Sequence, residues 1–364
     1  MKNVSILIFL ILISCGKSTE DNCFENDKDK VPDTYKEEVP FTVKQILDHK
    51  PEYLNISTLK KFRSFKKDST EKRSLDVFDE EKFKLKIEKY NAEYQDFDKA
   101  FLGQFRYYFR QNVKGIDYAF GKSGLGFWLL EINKGKGKAY FLGLSFSHYY
   151  INEIQKGPII KDGELQLQGS LVKIIKVPGL PGYDDYSAID DGKLFCIKLS
   201  DLEIDSDKDG YNDIFEESFG LNPKNKDSDS DGINDFNDLN PLFKSEKNKF
   251  TQLYEEFLPD NFSFNTTNLK NMPYLIRVYE NDCEYFQKVS PEFRTLIVSE
   301  EKDNLPYYLQ VTDVVGGGFS KLKRDSKNPE IFYFYEWSSG STRDYSVEFI
   351  KGKWKIDMLG GTVS

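Results

Sequence analysis

The sequence predicts an α+β protein: two β-rich modules with a few helices, joined by an acidic repeat segment. Three observations carry this. Aromatic residues, mostly Phe and Tyr, make up 15% of the 364-residue chain and suit half-buried pleated surfaces. Apolar residues alternate with a period of two over several stretches on both sides of residue 200, and keep a helical period over only a few. The acidity is local: residues 201–240 hold 13 acidic and 3 basic side chains, whereas the whole chain carries −9. The remainder is close to neutral, with no basic patch large enough for a nucleic-acid footprint.

At the N-terminus, Lys2 precedes an apolar run at residues 6–13 that is too short to span a bilayer. The run ends in Leu12, Ile13, Ser14, Cys15 and Gly16. A charged start, a short apolar stretch, a small residue before Cys and Gly after it resemble the lipobox of bacterial lipoproteins. The resemblance implies a signal peptide at 1–14 and a lipidated Cys15 as the new N-terminus. It also implies a protein held to a membrane of the bacterial envelope, at the outer membrane or cell surface. An ordinary secretory signal with an incidental cysteine is the alternative. No later apolar run is long enough to span.

Without Cys15, three cysteines remain: Cys23, Cys196 and Cys283. A Cys196–Cys283 disulfide and free buried thiols are both open, and no spacing suggests zinc. Residues 15–40 are polar and acidic, with Pro32 and Pro40, and read as a flexible tether. Asp27, Asp29 and Asp33 echo the later repeat, but Lys30 stands where its Gly should be.

Residues 41–200 read as an α+β domain. Thr42 and Gln45 form a capping box, Phe41 and Ile46 a hydrophobic staple, and the helix stops before Pro51. A longer helix is expected over 80–112, marked by Phe83, Ile87, Tyr90, Tyr94, Phe97, Phe101, Phe105 and Tyr108 at steps of three or four. Asp79 is its expected cap, Phe78 its staple, and Gly115 its stop. Strands follow at 127–132 and 138–146 around a glycine-rich turn, then at 165–177 and 193–199. Between the last two lies an expected long loop, 178–191.

Catalytic signals in this region are weak. Gly121, Lys122 and Ser123 look like the end of a phosphate loop, but Ile116 stands where the first Gly is required, so no nucleotide is expected. Asp184, Asp185, Asp190 and Asp191 offer paired carboxylates for glycoside hydrolysis, and equally a solvated loop. A nucleophilic triad would rest on a lone His49 or His148.

The acidic segment is explicit. Asp205, Asp207, Asp209, Gly210, Asp213 and Glu216 are followed 22 residues later by Asp227, Asp229, Asp231, Gly232, Asp235 and Asp238. Alternate Asp residues in a tight loop converge on one point, and Gly at position six permits the reversal. Six to eight oxygens at roughly 2.3–2.6 Å suit calcium. Position seven, Tyr211 or Ile233, then offers its carbonyl.

These loops depart from the EF-hand. Position eight is Asn212 and Asn234 instead of an apolar residue, and a strand, not a helix, enters the first loop. The two loops, with Phe219, Gly220, Leu221, Asn222 and Pro223 between them, resemble the thrombospondin type 3 repeat over about 40 residues. The resemblance implies calcium as the cofactor around which residues 201–243 wrap, in place of an apolar core. The implied ligands are Asp205, Asp207, Asp209, Tyr211 (carbonyl), Asp213 and Glu216, then Asp227, Asp229, Asp231, Ile233 (carbonyl), Asp235 and Asp238. Asp238 is shorter than Glu, which puts bidentate closure in question. A short helix is expected from Asp213, ended by Gly220.

Residues 244–364 read as a short helix (Phe250, Leu253, Tyr254, Phe257) followed by an antiparallel sheet. Its strands are expected at 274–280, 293–300, 307–314, 331–337, 345–350 and 353–358. Lys351 and Gly352 form a hairpin, and Gly316, Gly317 and Gly318 a turn or bulge. Tyr335, Trp337 and Trp354 are core residues or a ligand face. The two flanking modules resemble no family, and no catalytic set is recognisable in them. The expectation is a calcium-binding, lipid-anchored envelope protein with a binding or structural role. Its partners would be the membrane, through Cys15, and an envelope protein or glycan. The alternative is a surface hydrolase acting on polysaccharide through the 183–191 carboxylates.

Overall fold

The structure is a computed structural model describing residues 18–26, 39–74, 80–176, 184–258, 266–338 and 340–363. The lipobox with Cys15, the Asp27–Asp33 echo, the Asp79 cap, the Phe78 staple and the 178–182 turn lie outside them. The class is mixed α+β and β-rich.

The described chain begins docked. Helix α1 (Thr19–Cys23) has a capping box between Ser18 and Asp21, and Cys23 is disulfide-bonded to Cys283. Phe24 is buried against Phe250 and Phe332, with the Arg324 guanidinium 4.0 Å above its ring. The backbone of Cys23 and Glu25 hydrogen-bonds to that of Leu322. Residues 18–26 of the expected tether are therefore a strap on the last third of the chain. Among the described residues Cys196 is the free thiol, so Cys283 pairs with Cys23 and not with Cys196. A partner 260 residues away leaves no local trace in sequence.

Helix α2 (Val43–Asp48) carries the predicted Thr42–Gln45 capping box. Strand β1 (Asn55–Thr58) and helix α3 (Phe65–Ser74) follow. Helix α4 (Glu80–Phe101) ends eleven residues short of the expected 112. Leu102 and Gly103 have φ of +54° and +71°, which no right-handed helix accommodates. The Gln104 side chain then donates to the Phe101 carbonyl and accepts from the N–H groups of Tyr274 and Leu275. Phe105 and Tyr108 continue the helical spacing by coincidence; Tyr108 already lies in β2 (Arg106–Val113). Only Tyr94, Phe97 and Phe101 of α4 are buried, while Phe83 and Ile87 are exposed.

Strands β2, β3 (Ile116–Ser123), β4 (Gly126–Asn133) and β5 (Lys136–Phe141) form a four-stranded antiparallel meander. Gly115 turns the first hairpin, and Gly121, Lys122 and Ser123 lie within β3. A second sheet has the order β1-β9-β8-β6, with β7 on β8. Its later members are β6 (Tyr149–Ile151), β7 (Ile160–Lys161), β8 (Glu164–Lys176) and β9 (Asp184–Lys198). The expected loop at 183–191 is thus mostly strand, because β9 pairs with β8 from Asp184 onward.

Helices α5 (Leu199–Leu202) and α6 (Asp213–Phe219) flank the first acidic loop. The last region holds α7 (Lys249–Glu255), β10 (Arg277–Glu280), α8 (Glu284–Gln287), β11 (Thr295–Val298), α9 (Tyr307–Gln310) and β12 (Val315–Phe319). These are followed by β13 (Lys323–Arg324), β14 (Ile331–Ser338), β15 (Ser341–Ile350) and β16 (Lys353–Val363). The sheet order is β11-β10-β12-β14-β15-β16, with β13 on β14. It is mixed, not antiparallel: β10 runs parallel to both β11 and β12. The connections through α8 and α9 supply the crossovers that parallel neighbours require. The expected strand at 307–314 is therefore helix α9 followed by a connector. Gly316 is a bulge, skipped in the register between Val278–Val315 and Tyr279–Gly317.

Cores cross the segments. Trp128 and Phe141, from the meander, pack on Phe215 of α6, and Phe141 also on Phe219. Tyr274 and Tyr308, from the last region, close the same cluster, and Tyr308 Oη donates to the Leu125 carbonyl at 2.6 Å. Phe215 and Phe219 are fully buried. Each such ring contributes about 1.5–3 kcal/mol. The acidic segment is thus seated in an aromatic core and does not run as an exposed cord. A second core gathers the α7 and α8 aromatics with Phe319, Phe332, Phe334 and Val347.

Candidate metal centre

The two acidic loops fold alike. In each, the serine at position two donates its backbone N–H and its hydroxyl to the aspartate at position nine: Ser206 to Asp213, and Ser228 to Asp235, all at 2.6–2.9 Å. The N–H of position nine bonds back to Ile204 in one loop and to Lys226 in the other. Positions four, Lys208 and Ser230, both have φ near +65°. Gly210 and Gly232 have φ of +124° and +101°, values a β-carbon disfavours, so the predicted glycine requirement is structural fact.

Convergence follows. Asp205, Asp207 and Asp209 place ligand oxygens within 4.8 Å of one another, as do Asp227, Asp229 and Asp231. Oxygens sharing one calcium ion lie at most about 5 Å apart. Either triplet can hold a metal ion. In the first loop, Asp205 Oδ1, Asp207 Oδ2 and both oxygens of Glu216 are buried with no hydrogen-bond partner. Glu216 is wholly inaccessible. Unsatisfied buried carboxylate oxygens are costly unless a cation meets them. Burial, then the charges of Asp207, Asp209, Asp213 and Asp235, push the Glu216 carboxyl up to about 9.

Asp209 differs. Its oxygens accept from the N–H groups of Tyr211 at 2.8 Å and of Phe236 at 3.0 Å. Burial outweighs these bonds and lifts it to about 7. The Phe236 bond ties the first loop to the second. Arg294, buried, adds two bonds to the Phe236 carbonyl and a third to that of Lys270, clamping the second loop to the last region.

The second loop is less open. Both oxygens of Asp227 accept backbone N–H groups, from Asp231 and Gly232. Asp229 Oδ2 is buried and unpartnered, and burial raises this carboxyl to about 6. Asp238 is buried, but its Oδ1 accepts from Asn240 at 2.9 Å. At the seventh positions, the Tyr211 side chain is core and Ile233 is half exposed.

Two features escaped the sequence reading. Asn212, noted as a departure at position eight, is a buried brace: its amide accepts from Phe141 N–H and donates to the carbonyls of Phe141 and Leu202, each at 3.1 Å. The serines at position two were also missed; their recurrence in both Asp-Ser-Asp runs was the available signal. Two carboxylates of the 183–191 stretch have protein partners. Asp190 pairs with Lys193 at 2.8 Å, and Asp191 accepts from Phe65 N–H and Ser170 Oγ, holding α3 to the sheet. The side chains of Asp184 and Asp185 lie outside the described residues. Trp354 donates to the Lys249 carbonyl and packs on Phe332, whereas Tyr335 and Trp337 line an open groove. No helix among the described residues is long and apolar enough to cross a membrane. The chain matches no family model, no curated protein and no solved structure.

Proposed function

We propose that this chain is a calcium-binding, lipid-anchored protein of the bacterial envelope with a binding or structural role. The observation that carries the calcium reading is Glu216, inaccessible and with both oxygens unpartnered, in the same loop as Asp205 and Asp207, each of which also buries an unpartnered oxygen. A hard dication with oxygen ligands suits this donor set; no sulfur or imidazole takes part. Asp205, Asp207, Asp209 and Glu216 would hold the first ion. Asp227, Asp229, Asp231 and Asp238 would hold the second. Asp213 and Asp235 would brace the loops through their serines. The ion would neutralise the repulsion that burial imposes on these carboxylates, and so fix α6 within the aromatic core it shares with both flanking regions. Calcium would thereby stiffen the join between two β-rich units, with an affinity on the order of 10⁻⁴–10⁻³ M.

The anchoring reading rests on the sequence around Cys15. Mass spectrometry of the protein from an envelope fraction tests it, because a diacylglyceryl adduct on Cys15 is expected and an unmodified Cys15 overturns it. Calorimetric titration of residues 18–364 with CaCl₂ tests the calcium reading. Saturable binding of two ions is expected, the first loop being the tighter. No heat up to 10 mM calcium, with no change in thermal stability, overturns it.

A further inference from the structure

A cavity of about 370 Å³ lies between residues 51–53, the 143–149 turn, α6 and α9, and nothing above assigns it a role. Its walls include Tyr53, His148, Tyr149, Ile214, Tyr307 and Tyr308. Three of the six hydroxyls in this wall are spent on the protein itself. Tyr53 Oη donates to the Leu142 carbonyl, Tyr308 Oη to that of Leu125, and Ser145 Oγ to that of Val311. The space therefore presents aromatic and aliphatic faces.

The imidazole of His148 faces the same space. His148 is 4% exposed, yet neither ring nitrogen has a hydrogen-bond partner among the described residues. An imidazole that faces a cavity with both nitrogens free of protein partners can hydrogen-bond to a ligand held there. Burial and the neighbouring His49 hold His148 near 4, so at neutral pH it offers one N–H donor and one nitrogen acceptor. The second histidine of the chain is brought to the same place, where His49 stacks on Tyr307 at 5.6 Å. Glu52 and Glu217, both exposed, stand at the rim and disfavour anions.

We infer that this cavity binds a small, uncharged molecule with an aromatic ring and a hydrogen-bonding group, which His148 engages. An apolar pocket with few convergent polar groups is the usual form of such a site, and this volume is at the small end of the range. The site is tied to the first acidic loop. Ile214 and Ser218 of α6 line the cavity, while Glu216, between them on the other face of that helix, closes the loop. If calcium fixes Glu216, as proposed above, it also fixes one wall, and the two ligands raise each other's affinity.

Because His49 and His148 are the only histidines, selective ¹³C,¹⁵N-histidine labelling of residues 18–364 gives a two-residue spectrum. Indole is the probe: neutral, aromatic and able to donate one N–H. Saturable shifts of the His148 ring signals, larger than those of His49, are expected. Val311→Trp fills the half-buried mouth and should abolish them without loss of the folded spectrum. A His148 signal indifferent to indole overturns the site, as does an undiminished shift in folded Val311→Trp. Repeating the titration in 5 mM CaCl₂ and in chelator should show at least threefold tighter indole binding with calcium, a difference lost in Glu216→Gln. Equal indole affinity in a protein that calorimetry shows to be calcium-loaded overturns the coupling and leaves the site. Failure of calorimetric calcium binding sinks the calcium reading alone, since indole in chelator still reports the cavity.

Discussion

Replacing Glu216 by glutamine removes a charge and leaves the shape. In the metal-free protein this carboxyl stands near 9, against 4.5 for the unfolded chain. The folded state therefore keeps a proton that the unfolded state gives up, and stability falls as pH rises from about 4.5 to about 9. At pH 7 the difference amounts to roughly 3 kcal/mol, at about 1.4 kcal/mol per pH unit. Glutamine cannot ionise, and its amide can donate to Asp207 or Asp209, so metal-free Glu216→Gln should be more stable than the parent by that order. It should also lose the pH slope. Calcium reverses the comparison. A ligand at a hundred times its dissociation constant stabilises by about 2.7 kcal/mol, and the variant forfeits that share at the first loop. Scanning calorimetry of both proteins at pH 6, 7 and 8, in chelator and in 10 mM CaCl₂, reads all of this. A variant less stable than the parent in chelator refutes the argument from burial. A variant with an unchanged calcium-induced rise in Tm refutes the role of Glu216 as a ligand.

Three further outcomes follow from the same geometry. Gly210→Ala should cost more than Gly232→Ala, because a β-carbon at 210 meets the Phe236 ring at 3.0 Å while that at 232 meets open space; urea denaturation should separate them, the first losing about 1–3 kcal/mol. Asn212→Ala strands the N–H and C=O of Phe141 and the C=O of Leu202, so a loss of roughly 3 kcal/mol is expected with or without calcium, which chemical denaturation under both conditions checks. Cys23→Ser opens a loop of 260 residues and should lower stability by up to about 5 kcal/mol. Peptide mapping without reductant should recover Cys23 joined to Cys283 in the parent, and a Cys196–Cys283 peptide would overturn the strap.

The turn geometry of the acidic loops was legible because every requirement is local. Asp at positions one, three and five, Gly at six, and a carboxylate at twelve fall within twelve residues. The turn they dictate is the same wherever the segment sits, and the structure shows Gly210 and Gly232 in the backbone region the pattern requires. The capping box at Thr42 and the hairpin at Lys351 were legible for the same reason. Helix α4 was misread beyond Phe101 because aromatic spacing persists past the Leu102–Gly103 break. Helix α9 and the parallel β10 pairings were missed because partner choice depends on crossovers that no short window contains.

What the sequence determined by itself is therefore the α+β class, the tandem acidic loops and the donor set they present. Tertiary structure alone decided how much those donors matter. It buried Glu216 against the aromatic core, braced Asn212 on Phe141, tied Asp209 to Phe236, and joined Cys23 to Cys283. It also set His148 in the wall of a cavity and stacked His49, 99 positions away in the chain, on Tyr307 of the same wall. The reason is physical: burial and long-range pairing set the electrostatic cost of a carboxylate or an imidazole, and neither is a property of the residues adjacent to it in sequence.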